Sequence, residues 1–344
     1  NGHREFVTNS ESISAMEDSR RRDFTANAIF YRIRSARNNM PGNLIDFHGG
    51  IGDIVRKSIK AVGNPEDRFR EDPLRMMRAV RQKNQLGFSI EADTWKSICR
   101  LVPELIKTVS PERISVELMK ALEANPPQAF SDFTSCLMTE TLIPELSGLF
   151  EKTLERLMFI RKGAPHHLIS ACLLSEAALC SIRKKLERAE NGPYTSKKQD
   201  PSEPDFYSPD AAYKAAKRLC LPGLKQTDYL LYSACIFANL RRISNPAAIF
   251  DETMHDTLLS DEIMELLRII RKTTPECLHN PDSMLEKSAA HPATVSGGDI
   301  AKEKIAQGPA MKSVIRHIRQ FQLDSGTDDK DALIEEGRRF AESL

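Results

Sequence analysis

The sequence predicts an α+β protein that is mostly α, on three observations. Strand-like segments occur only within the first fifty residues. From Gly49 onward the apolar residues recur at helical spacing. The 344 residues are 40 % apolar and 28 % charged, a balance that suits an ordinary globular chain with two or three separate cores.

Residues 28–33 and 44–47 are short apolar runs, separated by a polar stretch ending in Met40-Pro41-Gly42, and read as a hairpin. Two strands cannot bury a sheet face alone, so they read as the last piece of a larger α/β domain. Leu74, Met77 and Val80 then mark one helical face, with Arg75, Arg78 and Arg81 on another. Ser110-Pro111-Glu112 predicts a helix start with a capping hydroxyl, and Ile114, Leu118 and Leu122 continue the spacing. Further helices are expected at 128–138, 150–162, 166–189, 210–220, 226–241, 246–255, 260–272, 309–322 and 328–343. Residues 190–209, rich in Pro, Lys, Ser and acids, read as an exposed linker.

Composition narrows the function. A net charge of +1 means that affinity for nucleic acid must come from local patches. There is no run of ~18 apolar residues and no signal-peptide pattern, so no membrane partner is expected. The chain does not begin with Met, which suggests a truncated product. Seven scattered cysteines without a Cys-x-x-Cys pair fit reduced, buried thiols and a cytoplasmic location, not a zinc site. Neither a P-loop nor a His/Cys metal cluster is present. His166-His167 reads as a helix start after Pro165, and the single Trp95 with few tyrosines gives no base-stacking sheet.

Two blocks carry chemistry. In Asp18-x-x-Arg21-Arg22-Asp23-Phe24-Thr25-x-Asn27-Ala28, the consecutive arginines offer forked donors to triphosphate oxygens, and Asp23 can accept from a ribose hydroxyl. In Glu71-Asp72-Pro73-Leu74-Arg75, at a helix start, Asp72 and Arg75 are three apart and are expected on one helical face, with Asp72 as the helix cap before Pro73 the structural alternative. Cytosine and adenine share an exocyclic amine beside a ring-nitrogen acceptor, and a carboxylate with a guanidinium matches that pattern. Uracil and guanine invert it, leaving buried groups unpaired at ~1–3 kcal/mol each. Glu71 is spaced to orient Arg75. Arg78 and Arg81, with Arg68 and Arg70 upstream, are candidates for phosphate or RNA-backbone contacts, with solvated surface charge the rival reading. Asp46-x-x-Gly49-Gly50 closes the second strand and offers a hinge, or an ordinary tight turn. Arg113 and Glu117, four apart, are expected to form a structural ion pair.

Together these motifs, with the run from Gly63 to Arg81 and Arg113-x-x-x-Glu117, resemble the bacterial class II poly(A) polymerase and tRNA nucleotidyltransferase (CCA-adding) family over about residues 14–125. A weaker resemblance to the family's tail returns near 296–323. The resemblance implies a nucleotidyltransferase palm remnant at 1–50, a helical neck at 51–125, a body at 126–275 and a tRNA-binding tail at 276–344. It implies transfer of CMP and AMP from CTP and ATP to an RNA 3′ end, with Mg²⁺. Arg21, Arg22, Asp23, Asn27, Glu71, Asp72, Arg75, Arg78 and Arg81 would bind the nucleotide, and Arg68 and Arg70 the RNA. The family's Gly-Ser motif and Asp-x-Asp metal ligands belong before Asp18, and residues 1–17 hold neither. No metal ligand is therefore expected in this chain, and the chain alone is expected to be inactive. A poly(A) polymerase, an A-only or CC-only specialist, and a non-catalytic RNA-binding relative are the alternatives.

Overall fold

A computed structural model describes residues 14–32, 42–191, 209–239, 248–249, 251, 259–274 and 281–343. Residues 192–208 of the expected linker, most of the expected helix at 246–255, the hairpin connection, Cys277 and residues 1–13 lie outside these described residues, while residues 190 and 191 of that linker continue a helix. The chain forms two compact units, dividing between Pro144 and Glu145.

In the first unit, α1 (Ala15–Arg20) starts on a reciprocal cap, in which the Ser14 hydroxyl accepts from the Glu17 N–H and the Glu17 carboxylate accepts from the Ser14 N–H. A 3-10 turn (Thr25–Asn27) leads to β1 (Ile29–Arg32), which pairs antiparallel with β2 (Asn43–Asp46), Ile29 opposite Asp46 and Arg32 opposite Asn43. Both expected strands are present, and two strands leave apolar surface open: Tyr31 and Leu44 are paired and exposed. After α2 (Gly50–Val55) comes β3 (Ser58–Ile59), which pairs in parallel with β4 (Ser89–Ile90). These two strands lie beyond the first fifty residues, contrary to expectation, because two residues are too few to show a period.

Helices α3 (Pro65–Glu71), α4 (Leu74–Leu86), α5 (Ala92–Leu101), α6 (Leu105–Thr108), α7 (Pro111–Ala124), α8 (Pro126–Ser135) and α9 (Met138–Leu142) complete the unit. Asn64 caps α3, its side-chain oxygen accepting from Glu66 at 2.9 Å, with Pro65 in the first turn. Helix α4 packs along α7, burying Met76, Met77 and Val80 on one and Ile114, Leu118 and Leu122 on the other. The Ser110 hydroxyl makes no capping bond at the start of α7; Pro111 already removes one of the donors that a cap would satisfy. The helix expected at 128–138 is two, α8 and α9, broken at Leu137 with φ 66°.

The second unit holds α10 (Phe150–Leu157), α11 (His166–Asn191), α12 (Asp210–Arg218), α13 (Leu224–Phe237), α14 (Ser260–Thr273), α15 (Pro281–Ala290), α16 (Gly297–Lys302), α17 (Pro309–Ser325) and α18 (Lys330–Glu342). Long α11 packs against α10, α12 and α13. Arg156 is fully buried at its centre, ion-paired with Glu176 and donating to Ser175 at 2.8 Å and to Thr273 and Thr274 at 3.2 Å. Helices α16 to α18 bury Ile300, Val314, Ile318 and Leu333. Gly337 is required there, since a Cβ would collide with the Ile318 side chain.

Cys136, Cys172 and Cys235 are buried, and burial pushes their thiols up to about 12. Cys220 is exposed instead, at a left-handed turn after α12. Among the described residues, no helix is long and apolar enough to cross a membrane.

Candidate functional site

The first block sits at the end of α1. Asp18 accepts from Arg21 and from Arg22, each at 2.7 Å, and those donors, Arg22 foremost, hold its carboxyl below the usual carboxylate range. Both guanidiniums remain half or more exposed, and Arg22 lies 5.5 Å from the Phe30 ring centre. The chain then turns inward. Phe24 is fully buried, the Asp23 carbonyl accepts from Val62 at 3.2 Å, and Thr25 donates to the Lys60 carbonyl at 2.9 Å. These bonds stitch the block to residues 60–62, just upstream of the second block.

The Asp23 side chain joins the two. Its Oδ1 accepts from Arg75 Nε at 2.9 Å and its Oδ2 from Arg78 Nη2 at 2.7 Å. Arg75 is only 13 % exposed and spends its other donors on Glu71 (2.9 Å) and on the carbonyls of Arg68 and Arg21 (3.0 Å each). Glu71 therefore orients the Arg75 guanidinium, and also pairs with Arg68. Arg78 differs: its Nε is buried with no hydrogen-bond partner among the described residues. A buried donor left open costs about 1–3 kcal/mol unless a ligand fills it.

Asp72 and Arg75 do not share a helical face. Helix α3 ends at Glu71 and α4 begins after Pro73, leaving Asp72 in extended backbone between them. Pro73 is the reason, because its ring disfavours helical backbone in the residue before it. From this break Asp72 accepts from the Leu74 N–H at 3.2 Å and from Arg113 at 3.0 Å. Arg113 and Glu117 do not pair with each other either. Glu117 accepts from Arg81 Nε at 2.5 Å, and Arg81 also donates to Gln85 at 2.8 Å. Arg81 is thus committed to the α4–α7 seam, where partners across the helix pair outbid the local one. Arg70 pairs with Glu66 at 2.9 Å on an exposed surface, and Arg68 donates to the Arg20 carbonyl at 2.7 Å. Asn27 is exposed in the 3-10 turn, outside this network.

The glycine turn is anchored rather than loose. Asp46 accepts from His48 at 3.2 Å and from Gly50 and Ile51 at 2.9 Å. Burial alone would raise its pKa, but these backbone donors bring it below the ordinary value. Gly49 takes φ 76°, and a Cβ on Gly50 would collide with the Thr25 carbonyl. His48 contacts Ser19 at 2.9 Å. Sequence reading missed Asp53, which is buried, accepts from the Thr25 hydroxyl at 2.6 Å and pairs with Arg56 at 2.6 Å. It ties the first block to α2; its position three residues after Gly50 was the available signal. His166 and His167 open α11. Among the described residues no three His, Cys, Asp or Glu side chains converge on a point that would hold a metal ion.

Residues 2–60 match the family model described as the poly A polymerase head domain. Residues 87–149 match the one described as the probable RNA and SrmB-binding site of polymerase A. CCA-adding enzymes of Lactobacillus delbrueckii subsp. bulgaricus and Bacillus velezensis are 47 % identical over 133 residues and 43 % over 143. Those alignments take in 38 % and 41 % of this chain but only 31 % and 34 % of the relatives, so the chain matches about a third of their length. Among solved structures, the fold resembles the Bacillus stearothermophilus CCA-adding enzyme in complex with CTP, with TM-score 0.62 and 24 % identity over 97 % of this chain and 77 % of that one. It also resembles the Thermotoga maritima CCA-adding enzyme complexed with tRNA, with TM-score 0.55 and 19 % identity over 95 % and 74 %. The two matched segments, with the α+β, mostly helical fold, make the chain similar to bacterial poly(A) polymerases and CCA-adding enzymes.

Proposed function

We propose that the protein is a template-independent nucleotidyltransferase that adds C, C and A to tRNA 3′ ends from CTP and ATP. The observation that carries this reading is the Asp23 carboxylate bound by both Arg75 and Arg78, which gathers the phosphate-and-sugar block and the base block, 52 residues apart in Asp23 and Arg75, into one cluster. Relatives named as CCA-adding enzymes, and solved ones in complex with CTP, ATP and tRNA, support it.

In this reading the RNA 3′ hydroxyl attacks the α-phosphate, forming the O3′–P bond as the bond to the β-phosphate breaks and pyrophosphate leaves. Arg21 and Arg22 present exposed forks to the phosphates, and the buried, unpartnered Nε of Arg78 is a donor that an anionic oxygen would satisfy once it is uncovered. Asp23 accepts from the ribose. Asp72 and Arg75 read the base, and each must first exchange an internal partner, Arg113 for Asp72 and Asp23 for Arg75. Gly49-Gly50 is the hinge and Arg68 and Arg70 meet RNA. Residues 1–50, 51–125, 126–275 and 276–344 serve as head, neck, body and tail of a cytoplasmic enzyme. The family resemblance brings Mg²⁺ with it; the described residues gather no set of ligands for it, so every step here is confined to what the side chains do.

The test is nucleotide binding by this chain. CTP and ATP should bind in preference to UTP and GTP, and Asp72→Ala with Arg75→Ala should abolish the preference; equal affinity of the unaltered chain for all four sinks the reading. The descriptions of both matched family models name a poly(A) polymerase, which favours that enzyme as the second reading. Products of the complete protein on tRNA lacking its CCA end separate the two: three added nucleotides against a long A tract.

A further inference from the structure

The second unit carries an aromatic and basic surface that the nucleotide cluster does not use. Buried Arg156 lies in the last turn of α10, and its bonds to Thr273 and Thr274 lock that end of α10 to the end of α14. The residues just beyond each helix are thereby set side by side. Met158 and Phe159 follow α10 and are 65 % and 46 % exposed. Lys272, in the last turn of α14, sits 4.9 Å from the Phe159 ring centre. Arg161 and Lys162, two and three residues after Phe159 in sequence, and Arg271, next to Lys272, are exposed. One carboxylate intrudes: Glu265 accepts from Arg161 at 3.0 Å. Lys162 and Lys272 have no carboxylate partner among the described residues.

Cations in a helix's last turn are ordinary, because they offset the negative end of its dipole. That accounts for Arg271 and Lys272. It does not account for a half-exposed phenylalanine and a two-thirds exposed methionine placed between them, since burying either would add stability. An exposed aromatic ring with one cation over it and others near it in sequence fits one class of partner well: an unpaired base stacks on the ring while adjacent phosphates meet the ammonium groups. An acidic protein segment would use the cations but gains little from a stacking face.

We infer that Phe159, Lys162 and Lys272, with Met158 beside them, form an RNA-contacting surface in the second unit, taking one unpaired nucleotide and its neighbouring phosphates. The inference rests on the reading of the protein as an RNA-extending enzyme, yet it lies apart in sequence from the nucleotide cluster and can fail separately. The surface acts on RNA affinity alone and leaves nucleotide choice untouched.

The experiment measures binding of a fluorescent tRNA transcript lacking its CCA end to the 344-residue chain across a potassium chloride series. Phe159→Ala should weaken binding about five-fold or more, and Phe159→Trp should restore it, which a loss of packing alone would not allow. Lys162→Gln with Lys272→Gln should lower the slope of log affinity against log salt by roughly 0.7–0.9 for each cation removed. CTP affinity, read in parallel, should not change in any variant. Variants that bind the transcript with unaltered affinity and slope overturn the inference. So does a Phe159→Ala variant that keeps RNA affinity but loses self-association in sedimentation, which would make the surface a protein interface. Absence of selective CTP and ATP binding with the RNA effects intact would instead sink the nucleotide-site reading and leave this surface standing.

Discussion

Arg113 and Glu117 show how far local spacing reaches. Four apart on α7, they would pair on an isolated helix, yet Glu117 is taken by Arg81 and Arg113 by Asp72. The Arg81–Glu117 pair is largely shielded, with side chains 17 % and 11 % exposed, so the two should be energetically coupled. A double-mutant cycle on alanine variants, read by chemical denaturation, should give about 0.5–3 kcal/mol for Arg81 with Glu117. Arg113 with Glu117 should be additive within roughly 0.5 kcal/mol; the opposite ranking would restore the local pair. The sequence made the groups at Arg22, Asp23, Glu71 and Arg75 legible through their types and order. It could not show who holds them, because partners such as Arg21 and Arg75, 54 residues apart, leave no periodic trace.

At the scale of elements, caps and turns were the most readable features and breaks the least. The two strands announce their antiparallel pairing and Ser110-Pro111 the start of α7, since both depend on neighbours in sequence, although the Ser110 hydroxyl makes no capping bond. The break at Asp72-Pro73 was readable from Pro73, and Asp72 as the cap before it, accepting from the Leu74 N–H, fits the structure where a shared helical face with Arg75 does not. The turn at Asp46 also carries a pH prediction. Its backbone donors favour the charged carboxylate, so the folded pKa lies below the ordinary value of 3.8. The stabilisation is therefore complete above that ordinary value and is lost as pH falls from it through the lower folded pKa. Thermal midpoints measured from about pH 6 down to about pH 3 should drop more steeply for the unaltered chain than for Asp46→Asn, whose acceptor does not titrate. Parallel curves would remove Asp46 as the anchor of the turn. Asp18, lowered by Arg22 and Arg21, contributes in the same direction.

At the scale of the molecule, the second unit buries two ion-paired cations, Arg156 with Glu176 and Arg319 with Asp251, and Arg156 is the more deeply buried. Arg156 is 0 % exposed and its partner Glu176 is 1 % exposed, a pairing that composition gives no hint of because Arg is usually a surface residue. Replacing only the cation, Arg156→Met, leaves the buried Glu176 carboxylate to the half-exposed Arg183, 3.4 Å away, and should cost up to about 3–5 kcal/mol in urea unfolding. Removing both charges with Glu176→Leu added should recover much of that loss, whereas a double variant no better than the single would place the energy in the threonine and serine bonds. The division after Pro144 was equally hidden, since helices of similar composition lie on either side of it.

Asp23 is, in effect, a tethered anion already docked on the two guanidiniums that a substrate would seek. On the proposed reading, a ligand that seeks these guanidiniums would compete with a carboxylate that never diffuses away, which would weaken loose anions more than a nucleotide whose ribose also bonds to Asp23. Neutralising that competitor with Asp23→Asn should tighten the binding of inorganic pyrophosphate in calorimetry, even as discrimination among nucleotides declines. Weaker pyrophosphate binding would mean that the carboxylate supports those guanidiniums instead of screening them.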